Sequence, residues 1–154
     1  MNTLFNHMKI LLNQKQIQEQ IYKHLHSSTK LDINQQKLRN YLIKNKPHEC
    51  IICDKKLPLC ILEAAHLKPL SIISGREKNN YNVVEFMCRY CHSLYDYGII
   101  GVNKGILEIS PKFEIQNYDL SYVENKNNKV INAYNKINYV FFDYHYVHIY
   151  SNIK

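Results

Sequence analysis

The sequence predicts an α+β fold, and three features predict it. Short apolar stretches at 60–67 and 83–87, bounded by prolines and polar loops, have the length and composition of strands. Residues 34–44 and 89–97 carry apolar side chains at helical spacing. Two Cys-x-x-Cys pairs, Cys50/Cys53 and Cys88/Cys91, stand where strand and helix meet. Each is a turn able to present two sulfurs to one metal ion.

The elements follow in chain order. Residues 3–26 place Leu4, Met8, Leu11, Leu12, Ile17, Ile21 and Leu25 three and four apart, which predicts an amphipathic helix broken near Asn13. Asp32 is placed to cap a second helix, Asn34 to Lys44, with Leu38, Tyr41 and Leu42 on its buried face and Pro47 beyond its end. Cys50–Cys53 forms a tight turn with Asp54-Lys55-Lys56 at its tip. A strand then ends near His66, between Pro58 and Pro69. Residues 71–82 are a polar loop, and Val83–Met87 leads into the second cysteine pair. The helix over 89–97 carries His92 and Asp96 four apart, on one face, and Gly98 ends it. Ile99–Val102 and Gly105–Ile109 form a hairpin around Asn103-Lys104, closed by Ser110-Pro111. Residues 116–128 are an asparagine-rich loop. The tyrosine-rich stretch 129–150 suits strand by composition but has helical spacing at Val140, Tyr144, Val147 and His148, and a helix is expected. His145 and His148 are expected to pack there rather than catalyse.

Composition limits the function classes. With 154 residues and 45% hydrophobic content, the chain can build one core, and whole-chain disorder is excluded. The formal net charge of +7 is spread along the chain and favours a polyanionic partner, nucleic acid before membrane surface. No stretch approaches the roughly 18 apolar residues that would span a bilayer. No small-residue cleavage site follows the apolar run at the start, so an intracellular, cytoplasmic setting is expected. There, five cysteines favour metal binding over disulfides. Four thiolates close a tetrahedral zinc site with no open position, and such a site supplies folding energy. Cys50, Cys53, Cys88 and Cys91 are therefore expected to hold one structural zinc. Cys60, among Leu59, Ile61 and Leu62, is expected to be a buried thiol.

Several of these residues form a further pattern. It comprises Leu62-x-x-Ala64-Ala65-His66-Leu67-x-Pro69 with Glu63 inside it, then Asn82, then Cys88-x-x-Cys91-His92-x-x-x-Tyr95-Asp96-x-Gly98. Over residues 38–113 the chain resembles the HNH endonuclease family, the ββα-metal nucleases, and is similar to the HNH domains of restriction enzymes. The resemblance implies a small ββα-metal core at 47–113, preceded by an N-terminal helical region at 1–46 and followed by a C-terminal extension at 114–154 packed on it. It implies hydrolysis of DNA phosphodiester bonds. His66 would be the general base that activates water, since a neutral imidazole takes a proton near pH 7. His92 and Asp96 would hold one Mg²⁺ or Mn²⁺, leaving positions open for phosphate oxygens and water. Asn82 would pin the loop and orient the His66 ring. Ala65 departs from the many family members that place a metal ligand just before the catalytic histidine, although part of the family shares Ala-Ala-His. Glu63 has the strand parity to help.

Lys68, Arg76, Lys78 and Arg89 flank these residues and are candidate phosphate contacts. The expected partner is DNA, double-stranded, with no membrane contact. Specificity in so short a chain would come from a homodimer or from another partner. A restriction-like or mobile-element role rests on the resemblance alone. The same cysteines and basic charge also suit two other classes: a non-catalytic, zinc-stapled nucleic-acid-binding module, which needs neither His66 nor Asp96, and a zinc domain that binds protein.

Overall fold

A computed structural model describes residues 33–114 and 119–152. The expected helix at 3–26, and Asp32 as a cap, lie outside the described residues. The chain is a mixed α+β protein. Helix α1 (Ile33–Asn45) precedes strands β1 (Leu62–His66) and β2 (Val84–Cys88), and helix α2 (Arg89–Asp96) follows at once. Strands β3 (Ile100–Asn103) and β4 (Ile106–Ile109), the short helix α3 (Pro111–Glu114) and helix α4 (Tyr139–His148) complete the order. The strands form two separate antiparallel two-stranded sheets, β1 with β2 and β3 with β4.

The described residues from Asn34 onward cluster as one compact unit. Leu38 and Leu42, one helical turn apart on α1, are buried in the same core as Leu62, Phe86, Met87, Leu94, Val102, Leu107 and Phe142. Arg39, on the same helix, donates to the carbonyls of Leu59 (2.6 Å) and Leu62 (2.7 Å), which fastens the turn before β1. That turn holds Cys60 and Ile61 outward. Cys60 is exposed, not the buried thiol its apolar neighbours suggest. The reason is local: Ile61 N–H closes a turn onto the Pro58 carbonyl, so strand burial starts only at Leu62.

The β1–β2 ladder pairs Leu62 with Cys88 and His66 with Val84, and Leu67 N–H extends it to the Val83 carbonyl. Every residue of β2 is buried, Glu85 included. Burial pushes the Glu85 carboxyl up, against the pull of Lys46, whose Nζ donates to Oε1 at 2.8 Å.

Helix α2 ends in two interlocked bonds, Gly98 N–H to Tyr95 O and Ile99 N–H to Leu94 O, with Gly98 at φ 66°. This is the Schellman arrangement, and only glycine adopts that φ without a Cβ penalty. The β3–β4 turn is Lys104-Gly105, both at positive φ, rather than Asn103-Lys104. Asn103 pairs with Ile106 inside the ladder, and a two-residue hairpin turn of this kind places glycine where φ is positive.

Of the tyrosine-rich tail 129–150, helix α4 takes up only Tyr139–His148, and Val140, Val147 and His148, whose spacing suggested a helix, are exposed on it. It buries Phe141, Phe142 and His145. His145 stacks on Tyr95 with ring centroids 3.5 Å apart, and its Nε2–H donates to the Tyr95 carbonyl at 2.7 Å. Its Nδ1 has no hydrogen-bond partner among the described residues. Burial pulls its pKa down from 6.5 to about 4, partly offset by the bond to Tyr95. The unfolded chain therefore binds this proton below about pH 6.5, whereas the native one resists it until about pH 4. His145 stabilises the fold fully above that window, and the contribution is lost as pH falls through it. At about 1.4 kcal/mol per unit, the loss by pH 4 is about 3 kcal/mol. Urea unfolding at pH 7.5 and at pH 5.5 should reveal about 1.4 kcal/mol of it as a fall in unfolding free energy that is absent in His145→Leu. An equal fall in both proteins would assign the acid sensitivity elsewhere.

Candidate functional site

The four paired cysteines converge. Their sulfurs all lie within 4.8 Å of one another, and all four residues are buried. A tetrahedron with Zn–S bonds of about 2.3 Å has edges of about 3.8 Å, so the donor set fits a structural metal such as zinc. Local backbone geometry creates the fit. Asp54 N–H returns to Cys50 O and Cys50 N–H bonds Lys55 O, with Asp54 at φ 56°, so the first pair sits on a closed turn. Ile51 N–H bonds Phe86 O, which ties that turn to β2. On the other side, Cys88 is both the last residue of β2 and the N-cap of α2. Its Sγ accepts from Cys91 N–H. The sulfur cluster thus joins the first turn, the strand and the helix at one point. Among the described residues it is the one group of three or more His, Cys, Asp or Glu donors converging on a common centre.

A second group lies one residue further along α2. Glu63, on β1, reaches across to the helix. Its Oε2 is 2.7 Å from His92 Nδ1, and its Oε1 accepts from Arg89 Nε at 2.9 Å. Partial burial works against the charge on Glu63, but His92 and Arg89 together hold its carboxyl below the usual range. The other side of the His92 ring faces Asp96, with Nε2 and Oδ2 3.2 Å apart. Asp96 is shifted up, first by burial and further by the nearby charge of Glu63, with His92 opposing both. One imidazole therefore lies between two carboxylates. Glu63 reaches the ring nitrogen opposite Asp96, so these three side chains do not offer three donors to one point.

His66 closes the first strand, half-buried. Burial, and secondly the neighbouring His92, pull its pKa down, which keeps the ring neutral at physiological pH. Asn82 lies at the same end of the ladder but is turned elsewhere. Its backbone N–H (2.9 Å) and its side-chain amide (3.0 Å) both donate to Asn80 Oδ1. Among the described residues it makes no hydrogen bond to His66.

The four basic candidates divide. Lys68 is held by both oxygens of Glu77 at 2.9 and 3.0 Å, and its ammonium lies 4.9 Å from the Tyr144 ring centroid. Arg89 is tethered to Glu63, yet its side chain is 73% exposed. Arg76 and Lys78 are exposed in the 71–82 loop and have no acidic partner among the described residues.

Glu63 is the residue whose part the sequence leaves least defined. Parity places it on the same side of β1 as Ala65, but only the packing of α2 shows that it spans to His92. Among the described residues, no helix is long and apolar enough to cross a membrane. No protein-family model matches the chain, and no curated protein matches it in sequence.

Proposed function

We propose that this protein is a metal-dependent endonuclease of the HNH type, with β1, β2 and α2 as its ββα-metal core and a structural zinc held by Cys50, Cys53, Cys88 and Cys91. The observation that carries the reading is the His92 constellation. Nδ1 engaged by a carboxylate is how metal-binding histidines are usually oriented, because the bond fixes the tautomer and turns the Nε2 lone pair outward. Nε2 stands 3.2 Å from Asp96 Oδ2, on the side of the ring away from Glu63. Two cis ligands of an octahedral ion at about 2.1 Å stand about 3.0 Å apart, so the spacing suits Mg²⁺ or Mn²⁺. A cation there would also offset the two carboxylates that flank one ring.

The roles then follow from the chemistry of phosphodiester hydrolysis. His92 and Asp96 would hold the divalent ion, and Glu63 orients His92. The ion would supply charge relief to the scissile phosphate and its leaving oxygen. His66, neutral near pH 7, takes the proton of the attacking water at its free ring nitrogen. DNA is the substrate expected from the charge and the family resemblance.

The test is nicking of supercoiled plasmid against Mg²⁺ or Mn²⁺ concentration, with brief EDTA treatment as control, in wild type and Glu63→Gln. Cutting should require the divalent ion. Glu63→Gln should move the metal midpoint up by about 10- to 100-fold, the usual cost of losing such an orienting carboxylate. Ala65, where a third ligand often stands, favours a second reading: a zinc-stapled nucleic-acid-binding module without catalysis. Salt-sensitive DNA binding with no cutting in either metal would select it.

A further inference from the structure

The 71–82 loop carries an aromatic feature that the proposed reaction does not use. Tyr81 is 44% exposed, yet its ring is stacked on Tyr41 of α1, with centroids 4.3 Å apart and planes 20° from parallel. Tyr41 is in turn packed against the core through its helix. An exposed tyrosine is usually free to change rotamer, but this one is backed by a second ring anchored to the core. Its place is also defined. Tyr81 is three residues before Val84, which pairs with His66, so it stands at the His66 end of the β1–β2 ladder. Three residues span at most about 11 Å, about the length of three bases at 3.4 Å each along one strand.

Charge in the same loop completes the pattern. Glu77, its one acidic residue, is neutralised by Lys68, while Arg76 and Lys78 on either side of it are exposed without acidic partners among the described residues. The loop thus presents two available cations and one exposed aromatic ring backed by Tyr41. That is the make-up of a surface for an unpaired nucleic-acid strand: cations follow the phosphates, and a base with an open π-face stacks on the ring. A base inside a regular duplex has no such face to offer.

We infer that Tyr81, backed by Tyr41, is a stacking platform for an unpaired base, with Arg76 and Lys78 holding the adjoining phosphates. The protein accordingly binds single-stranded or locally opened DNA in preference to a continuous duplex. This deepens the nuclease reading and rests on its nucleic-acid substrate, but it does not require catalysis.

The experiment measures binding of the full chain, without added divalent metal, to a short single-stranded oligonucleotide carrying a fluorescent base and to the fully paired duplex. Wild type should favour the single strand and quench the base. Tyr81→Ala should weaken single-strand binding by about tenfold or more, since one base–aromatic stack is worth about 1–3 kcal/mol. It should leave duplex binding and the circular dichroism spectrum unchanged, and Tyr81→Phe should bind as wild type. Equal binding by Tyr81→Ala and wild type overturns the inference, as does a wild-type preference for duplex. A change in oligomeric mass with Tyr81→Ala and none in DNA binding also overturns it, because the ring would then belong to a contact between copies. Tyr81-dependent binding without any metal-dependent cutting sinks the nuclease reading and leaves this one standing. Cutting with Tyr81-independent binding does the reverse.

Discussion

His66→Ala should lower the rate of metal-dependent plasmid cleavage by about 10²- to 10⁴-fold, the range set by a positioned general base. DNA affinity, zinc content and the unfolding midpoint should stay near wild type. Position explains the separation of these effects. His66 is the last residue of β1, half-buried, with no side-chain hydrogen bond among the described residues. Its removal therefore orphans no buried partner, and the backbone pairing of His66 with Val84 does not depend on the side chain. The pH profile should carry the same signature. Burial and His92 place the His66 pKa below the ordinary imidazole value, so the wild-type rate should rise with pH through a range below 6.5 and then level. In His66→Ala that rise should be gone. A variant that cuts at the wild-type rate, or that keeps the same profile, would assign the base elsewhere.

How much of this site was legible in the sequence depends on the kind of interaction. The sulfur cluster was fully legible, because Cys-x-x-Cys is a local motif: the turn that presents two sulfurs is encoded in four residues. Helix α2 was equally plain, with its cysteine pair at one end and Gly98 at the other. The hairpin turn shifted by one residue, since Asn103 suits a turn as well as Gly105 does and only the ladder register decides between them. Cys60 failed for a related reason. Its apolar neighbours signal burial, but a turn closed by Pro58 and fastened by Arg39 turns it outward. Asn82 and Glu63 show the limit most clearly. Both were legible as residues of interest, but their bonds were not. The amide of Asn82 is satisfied locally by Asn80, whereas Glu63 finds His92 across the gap between strand and helix. A polar side chain chooses among several partners of similar energy, and sequence spacing does not rank them.

Cys91→Ala should unfold the domain rather than merely inactivate it. Purified wild type should contain about one zinc per chain, as four thiolates imply, and prolonged chelation should release it together with the native circular dichroism signal. Structural zinc of this kind contributes apparent folding energies of about 10–16 kcal/mol at neutral pH, as much as or more than the 5–15 kcal/mol by which whole domains are stable. The fold makes the dependence understandable. The sulfurs tie the first turn to β2 and to the start of α2, and the two sheets hold only two strands each. Two-stranded ribbons are marginal by themselves in water. Cys60→Ser, at the exposed fifth cysteine, is the matched control and should change neither zinc content nor stability. Acid should mimic the loss of metal, because protons compete with zinc for the thiolates. Cys91 is adjacent to His92, so loosening this end of α2 would also disperse His92 and Asp96, the pair proposed to hold the divalent ion. A Cys91→Ala protein that stays folded and binds no zinc, alongside a wild type equally free of zinc, would show that the four sulfurs are buried thiols held by packing alone.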